Sequence, residues 1–288
     1  MLIGIMTRAL SRPSLDAVAD AICRYQLGGA QLNLSSAGLD PLPEALDEER
    51  AVGIGDVFRS RGIAVAAVSA NFNAIHPNRE VRAEGIRRAG LVASRCRALG
   101  SPMITMCTGT RDPANMWRYH AANSEPSAWD DLLETTRQLT AFAEEYGVTI
   151  AFEPEVVNVV DSAEKAERFL EESGSGRLGV LLDPANLITP DTLRDTRKVL
   201  EDAFARLRGR IVMAHAKDVV DPEPGERECR RVTAGTGLLD YPRYMELLAE
   251  SGFDGALVMH DLAESEITGC RRMLESLFQR KPHNALLS

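Results

Sequence analysis

Four stretches decide the fold: VTIAFE (Val148–Glu153), LGVLLD (Leu178–Asp183), IVMAH (Ile211–His215) and GALVMH (Gly255–His260). Each is apolar at successive positions, without a clean period of two, and each closes on an ionisable side chain. A strand covered on both faces reads this way, as in a parallel sheet. An ionisable group at the end of such a strand is costly to bury unless it is paired or bound to a metal.

Four more apolar runs lie upstream, at Leu2–Met6, Gly29–Leu34, Ile63–Ser69 and Pro102–Cys107. The stretches between runs have helical character. Ser14 can cap Leu15–Tyr25, and Val81–Ala98 carries apolar residues near helical spacing. Trp129–Tyr146 stops at Gly147, and Ser162 opens a helix that runs to Ser173-Gly174-Ser175-Gly176. Thr192–Leu207, Pro242–Glu250 and Ser265–Phe278 complete the set. Strand and helix alternate through eight units of about 36 residues, which predicts an α/β fold, a (β/α)8 TIM barrel, as a single domain over residues 1–288. An open doubly wound sheet would carry a Gly-rich turn after its first strand, where Thr7-Arg8-Ala9-Leu10 stands instead. The longest connections, Gly109–Pro126 and Val219–Gly237, both follow strands and so belong to the face where barrels carry active sites.

The 288 residues hold 33 Lys and Arg against 42 Asp and Glu, a net charge of −9. That balance argues against nucleic acid and against an anionic membrane surface as partners. The five cysteines are odd in number and widely spaced, with no Cys-x-x-Cys pair, and read as free thiols in a reducing compartment. No apolar run is long enough to span a membrane, and MLIGIMTRAL lacks the pattern of a signal peptide. The expected location is the cytoplasm.

Taken singly, Glu153, Asp183, His215 and His260 would each read as a helix cap, an ion-pair partner or a half-buried imidazole. Successive barrel strands deliver all four to one rim, and together they make a candidate site for Mn²⁺, Zn²⁺, Co²⁺ or Mg²⁺. Other polar groups share that rim: His76 after the third strand, Arg111 and Trp117 after the fourth, Asn186 after the sixth and Lys217 after the seventh. Amide, basic and aromatic groups suit a polyhydroxylated or carboxylated small molecule. Gly235-Thr236-Gly237 reads as a tight turn, with an anion-binding loop as the weaker alternative. Cys107 ends the fourth run, where an apolar strand would raise its pKa and disfavour a nucleophilic role.

These residues resemble the sugar phosphate isomerase/epimerase family, the xylose-isomerase-like TIM barrels, over essentially the whole chain. The resemblance rests on FEPE (Phe152–Glu155), LGVLLDPANL (Leu178–Leu187), HAKD (His215–Asp218), GTGLLDY (Gly235–Tyr241), SGFDGALVMH (Ser251–His260) and CTGTRDPANMW (Cys107–Trp117). It implies a divalent metal, Mn²⁺ first, held by Glu153, Asp183, His215 and His260. It also implies Glu153 and His260 as catalytic groups and Arg231 as a substrate-binding group. The implied activity is isomerisation or epimerisation of a sugar or cyclitol-like substrate through a metal-stabilised enediolate, and the resemblance leaves homo-oligomerisation open. Two departures stand out. His260 replaces the usual Glu of the eighth strand, and Asn186 replaces a His that often follows the strand-six Asp by three residues. The first removes one of two carboxylate bases and keeps open a metal-dependent lyase or dehydratase, a glycosidic-bond-cleaving relative, or a barrel without catalysis.

Overall fold

Eight parallel strands pair edge to edge until the first meets the last. In the computed structural model, which describes residues 1–223 and 228–279, these are β1 (Leu2–Met6), β2 (Gly29–Leu32), β3 (Ala64–Ser69), β4 (Met103–Cys107), β5 (Thr149–Glu153), β6 (Leu178–Leu182), β7 (Ile211–Ala216) and β10 (Ala256–Met259). The closed order is β1-β10-β7-β6-β5-β4-β3-β2. Leu2 pairs with Ala256 and Gly4 with Gly29, so β1 is bonded on both sides and the barrel has no open edge. Gly4 is required there, because a Cβ would lie 2.7 Å from the carbonyl oxygen of Gly29. The barrel is the fold expected from the alternating pattern.

The helices α1 (Leu15–Arg24), α2 (Glu48–Arg59), α3 (Arg79–Leu99), α4 (Pro126–Tyr146), α5 (Ala163–Ser173), α6 (Thr196–Leu207), α7 (Tyr241–Glu250) and α8 (Ile267–Gln279) lie between successive barrel strands and after the last. The side chains of Ser14, Asp47, Asn78, Ser162 and Asp240 accept backbone N–H groups in the first turns of their helices. One buried cluster joins helices to the outer faces of the strands, with Phe152 packed edge-to-face on Phe169. A smaller cluster, including Met6, Ala67, Ala151, Leu181, Met213 and Val258, fills the barrel interior.

Three features differ from the reading of the sequence. The helix α2 stands where no helix was expected. Its apolar face is thin, but Ala51, Ile54, Gly55 and Phe58 are buried at helical spacing, and Gly55 lets it touch the backbone of α3 at Ala98 and Leu99. Helix α6 begins at Thr196 rather than Thr192, and α4 begins at Pro126 rather than Trp129, with the proline in the first turn where its missing N–H costs nothing. The segment Val219–Gly237 is more than a connection. It holds an antiparallel hairpin of β8 (Asp218–Val220) and β9 (Arg230–Val232), and its residues 224–227 lie outside the described part, as do residues 280–288 of the expected single domain. Among the described residues, no helix is long and apolar enough to cross a membrane.

Glu264, in the connection between β10 and α8, ties the end of the barrel to its beginning. It accepts from Arg12 Nη1 at 2.9 Å and from the Tyr25 hydroxyl at 2.8 Å. The bond from Arg12, then that from Tyr25, holds its carboxyl down at about 2. A depressed carboxyl contributes stability above its unfolded pKa and loses it as pH falls through the folded value. The melting temperature of the protein is therefore expected to fall between about pH 4.5 and about pH 2 by a larger amount than that of Glu264→Gln, measured by thermal melts across that window.

Candidate functional site

Alternate residues of a strand share a face, and on the last four barrel strands the inward face changes character at one level. Ala151, Leu181, Met213 and Val258 belong to the apolar interior cluster. Two residues further along each strand come Glu153, Asp183, His215 and His260. Strand β6 ends at Leu182 and β10 at Met259, so Asp183 and His260 stand one residue beyond their strands. Lys217 follows His215 by two and joins the same layer. A polar ring thus sits on a dry apolar plug, with Asp183, His215 and Lys217 essentially without solvent exposure.

The ring is closely connected. His215 Nδ1 lies 3.3 Å from Glu153 Oε1 and 3.5 Å from Asp183 Oδ2. The Lys217 ammonium is 2.8 Å from Asp183 Oδ2. Asn186 donates its side-chain N–H to Glu153 Oε1 at 2.7 Å. One ligand atom each from Asp183, His215 and His260 lies within 4.8 Å of the others. Behind the ring, the Gln31 amide donates to Ser69 Oγ at 3.2 Å, which turns its carbonyl oxygen to His215 Nε2 at 2.7 Å. His215 Nε2 therefore carries a proton, and Nδ1 faces the two carboxylates. The α7 tyrosines hold the backbone beneath, Tyr244 donating to the His215 carbonyl at 3.1 Å and Tyr241 to that of Lys217 at 2.9 Å.

Charge follows from these neighbours. Burial pushes the His215 pKa down, but Glu153 and Asp183 outweigh it and hold it up at about 9. Burial likewise opposes the charge on Lys217, and Asp183 and Glu153 overcome it. Burial would raise Asp183, yet Lys217 and His215 keep it below the usual carboxylate range. His260 goes the other way: burial, then Lys217 and His215, push it well down, so its ring is neutral.

In this ring Asp183 Oδ2 has only the cationic neighbours Lys217 and His215, His215 Nδ1 only the two carboxylates, and the buried His260 Nδ1 has no hydrogen-bond partner. One ligand atom from each of Asp183, His215 and His260 within 4.8 Å of the others, with Glu153 beside them, fits a divalent cation.

Above the ring opens a cavity of about 440 Å³. Glu153, Asn186, Lys217 and His260 line its floor, and Trp117 and Arg231 its wall. His76 and Arg111 do not line it. The His76 ring bridges the Pro113 carbonyl and the Asn78 amide, and Arg111 donates to the Ile75 carbonyl and pairs with Asp131 at 2.7 Å. Both fix loops beside the mouth. The glycines of Gly235-Thr236-Gly237 give their amides to Asp218, whose Oδ2 accepts both at 3.0 and 2.9 Å, so this turn binds an internal carboxylate. Cys107 is buried, which pushes its thiol far up.

The lining residues not singled out from the sequence include Arg8, Gln31, Glu155 and Asp261. Glu155 is buried against Arg231, and burial, then Glu153, push its carboxyl up to about 7 against the pull of Arg231 and Lys217. Its signal was present, since FEPE carries a second carboxylate two residues beyond the strand. A larger, shallower groove of about 790 Å³ lies on the outside near α1 and α2, and none of its lining side chains is a buried group without a partner.

Removing Lys217 leaves Asp183 charged on an apolar floor, and breaking a buried ion pair from one side costs about 3–5 kcal/mol. Lys217→Met is expected to lower the stability of chelator-treated protein by that amount, measured by urea unfolding.

The chain resembles known structures over nearly its full length. An IolI protein crystallised with a bound zinc superposes with a TM-score of 0.73 at 18% identity, covering 99% of this chain and 100% of that one. An L-ribulose 3-epimerase gives a TM-score of 0.75 at 14% identity, covering 99% of each. AsbF of Bacillus anthracis, described as a probable 3-DHS dehydratase, gives 0.72 at 13% identity, covering 98% of this chain and 100% of that one. At such identities these likenesses show the fold. A family model, that of the xylose isomerase-like TIM barrel, matches residues 28–277. With the closed barrel and the match over most of its length, the chain belongs to the xylose isomerase-like TIM barrel family.

Proposed function

We propose that this protein is a divalent-metal-dependent isomerase or epimerase acting on a sugar or cyclitol-like small molecule. The observation that carries this reading is that one ligand atom each from Asp183, His215 and His260 lies within 4.8 Å of the others beneath a polar cavity, with His215 Nδ1 and His260 Nδ1 buried and without a hydrogen-bond partner. Asp183, His215 and His260 would hold the ion together with Glu153, with Mn²⁺ the first choice and Zn²⁺ supported by the zinc in the IolI structure. When bound, the cation supplies Lewis-acid polarisation of a carbonyl and its neighbouring hydroxyl.

The chain's own residues supply the rest. Glu153 is the proton acceptor, partly exposed to the cavity and oriented by the amide of Asn186. Lys217 and Arg231 bring positive charge to the floor and wall, suited to the oxygens of a polyol and to charge that develops on them. Trp117, half exposed at the mouth, offers a flat apolar face to a sugar ring. His260 is a ligand and the neutral proton partner on the other side of the cavity.

Protein purified without chelator is expected to contain a divalent ion and to gain melting temperature with added Mn²⁺ or Zn²⁺. Glu153→Ala and His215→Ala should lose both, as read by elemental analysis and thermal melts. Metal-free wild-type protein that gains no stability from either ion would sink the reading.

A lyase or dehydratase is the second reading, favoured by the imidazole of His260 in place of a carboxylate and in keeping with the dehydratase among the structural neighbours. Turnover in D₂O separates the two. Isomerisation and epimerisation are expected to place solvent deuterium on the substrate carbon next to the carbonyl without loss of water, whereas a dehydratase product is one water lighter. Tight metal binding with no turnover across a panel of sugars and cyclitols would favour a barrel without catalysis.

A further inference from the structure

Asp261 follows His260 directly and adopts a left-handed backbone, with φ 48°. Asp and Asn tolerate that conformation better than most residues. The turn brings its carboxylate back over the ring. Oδ1 stands 3.3 Å from His260 Nε2, and Oδ2 stands 3.6 Å from the Lys217 ammonium. From the other side, Arg8 Nη2 approaches the same Nε2 at 3.1 Å, with Asp261 Oδ1 3.9 Å away from it.

These two neighbours make opposite demands on one nitrogen. A guanidinium only donates and an ionised carboxylate only accepts. If Arg8 prevails, Nε2 keeps its lone pair and the proton of the neutral ring moves to Nδ1. If Asp261 prevails, Nε2 carries the proton and the lone pair turns to Nδ1. The Nδ1 atom is buried and without a partner. Its lone pair is therefore available to a cation shared with Asp183 and His215 only in the second tautomer. On the opposite imidazole Gln31 makes the same choice without a rival, because its carbonyl oxygen alone meets His215 Nε2 at 2.7 Å.

We propose that Asp261 is a positioning residue that accepts a hydrogen bond from the Nε2–H of His260 and so presents Nδ1 as a metal ligand, while Arg8 opposes it. This assignment rests on the metal-dependent reading above. It also gives Asp261 a part in metal binding that requires no direct ligation: a carboxylate behind an imidazole fixes its tautomer and strengthens it as a donor, and loss of such a partner typically weakens metal binding about 10–100-fold.

The test is Zn²⁺ affinity, by calorimetric titration of chelator-stripped protein, with Co²⁺ absorption as a second reading of ligand geometry. Asp261→Gly accepts the left-handed backbone and removes the carboxylate, and is expected to weaken binding about 10–100-fold. Asp261→Asn keeps an oxygen acceptor and should recover part of the loss. Arg8→Leu removes the rival donor and should bind Zn²⁺ more tightly than wild type, an effect that general damage to the site would not produce. In ¹⁵N spectra of the Zn²⁺-loaded wild type, His260 should show a protonated Nε2 and a metal-bound Nδ1. Wild-type protein that binds no cation overturns the metal-dependent reading and this assignment with it. Wild-type protein that binds, with Asp261→Gly unchanged, Arg8→Leu weakened, or the His260 proton on Nδ1, overturns this assignment alone. Should Asp261→Gly not fold, Arg8→Leu and the spectrum of the wild type still decide it.

Discussion

A carboxylate with no solvent, set on an apolar floor, is the constraint around which the upper half of the barrel is arranged. Asp183 is fully buried, with Leu181 two residues beneath it in the interior cluster. Such a charge persists only with opposite charge at short range. Lys217 at 2.8 Å and the imidazole of His215 at 3.5 Å provide it. Those two cationic groups then call for the second carboxylate, Glu153, beside His215. The outcome is a compact set of mutually dependent charges centred on Asp183 and His215.

The scaffold around the set is correspondingly rigid. Tyr244 and Tyr241, reaching from α7, hold the carbonyls of His215 and Lys217, so the strand that carries two members of the ring is fixed from behind. Asp218, next in the chain, turns away from the cavity and gathers the amides of Val219, Gly235, Gly237 and Leu239. A Cβ on Gly237 would fall 2.4 Å from both the Asp218 carboxylate and the Val219 carbonyl, so only glycine fits. This closes the loop that bears β9 and places Arg231 over Glu155 at the cavity wall. One short sequence, His215–Asp218, thus supplies two members of the charged ring and the anchor of the loop above it.

The barrel and the ring were legible because both are written in local pattern. Apolar runs interrupted at their ends by Glu153, Asp183, His215 and His260 report a buried strand and a polar layer in the same few residues. Other parts were not legible. Gln31 looks like an ordinary polar residue in a short strand, and only closure of the barrel brings it 2.7 Å from His215, 184 residues away. His76 and Arg111 stand after barrel strands, as cavity residues should, but Asp131 on α4 and carbonyls of the neighbouring loop claim them. The helix α2 escaped notice because its two glycines weaken the apolar period, and the reason for one of them, Gly55, is a backbone contact with another helix.

The sequence by itself determined the class of fold, the order of the eight barrel strands, and which ionisable side chains end the buried strands. Hydrophobic period and chain spacing suffice for that, because they act over a few residues. Tertiary structure decided which of the rim residues reach the cavity, which nitrogen of each imidazole is free, and which cation stands against each buried carboxylate. Those outcomes depend on distances of 3 to 4 Å between side chains from remote strands, and such distances exist only once the barrel has closed.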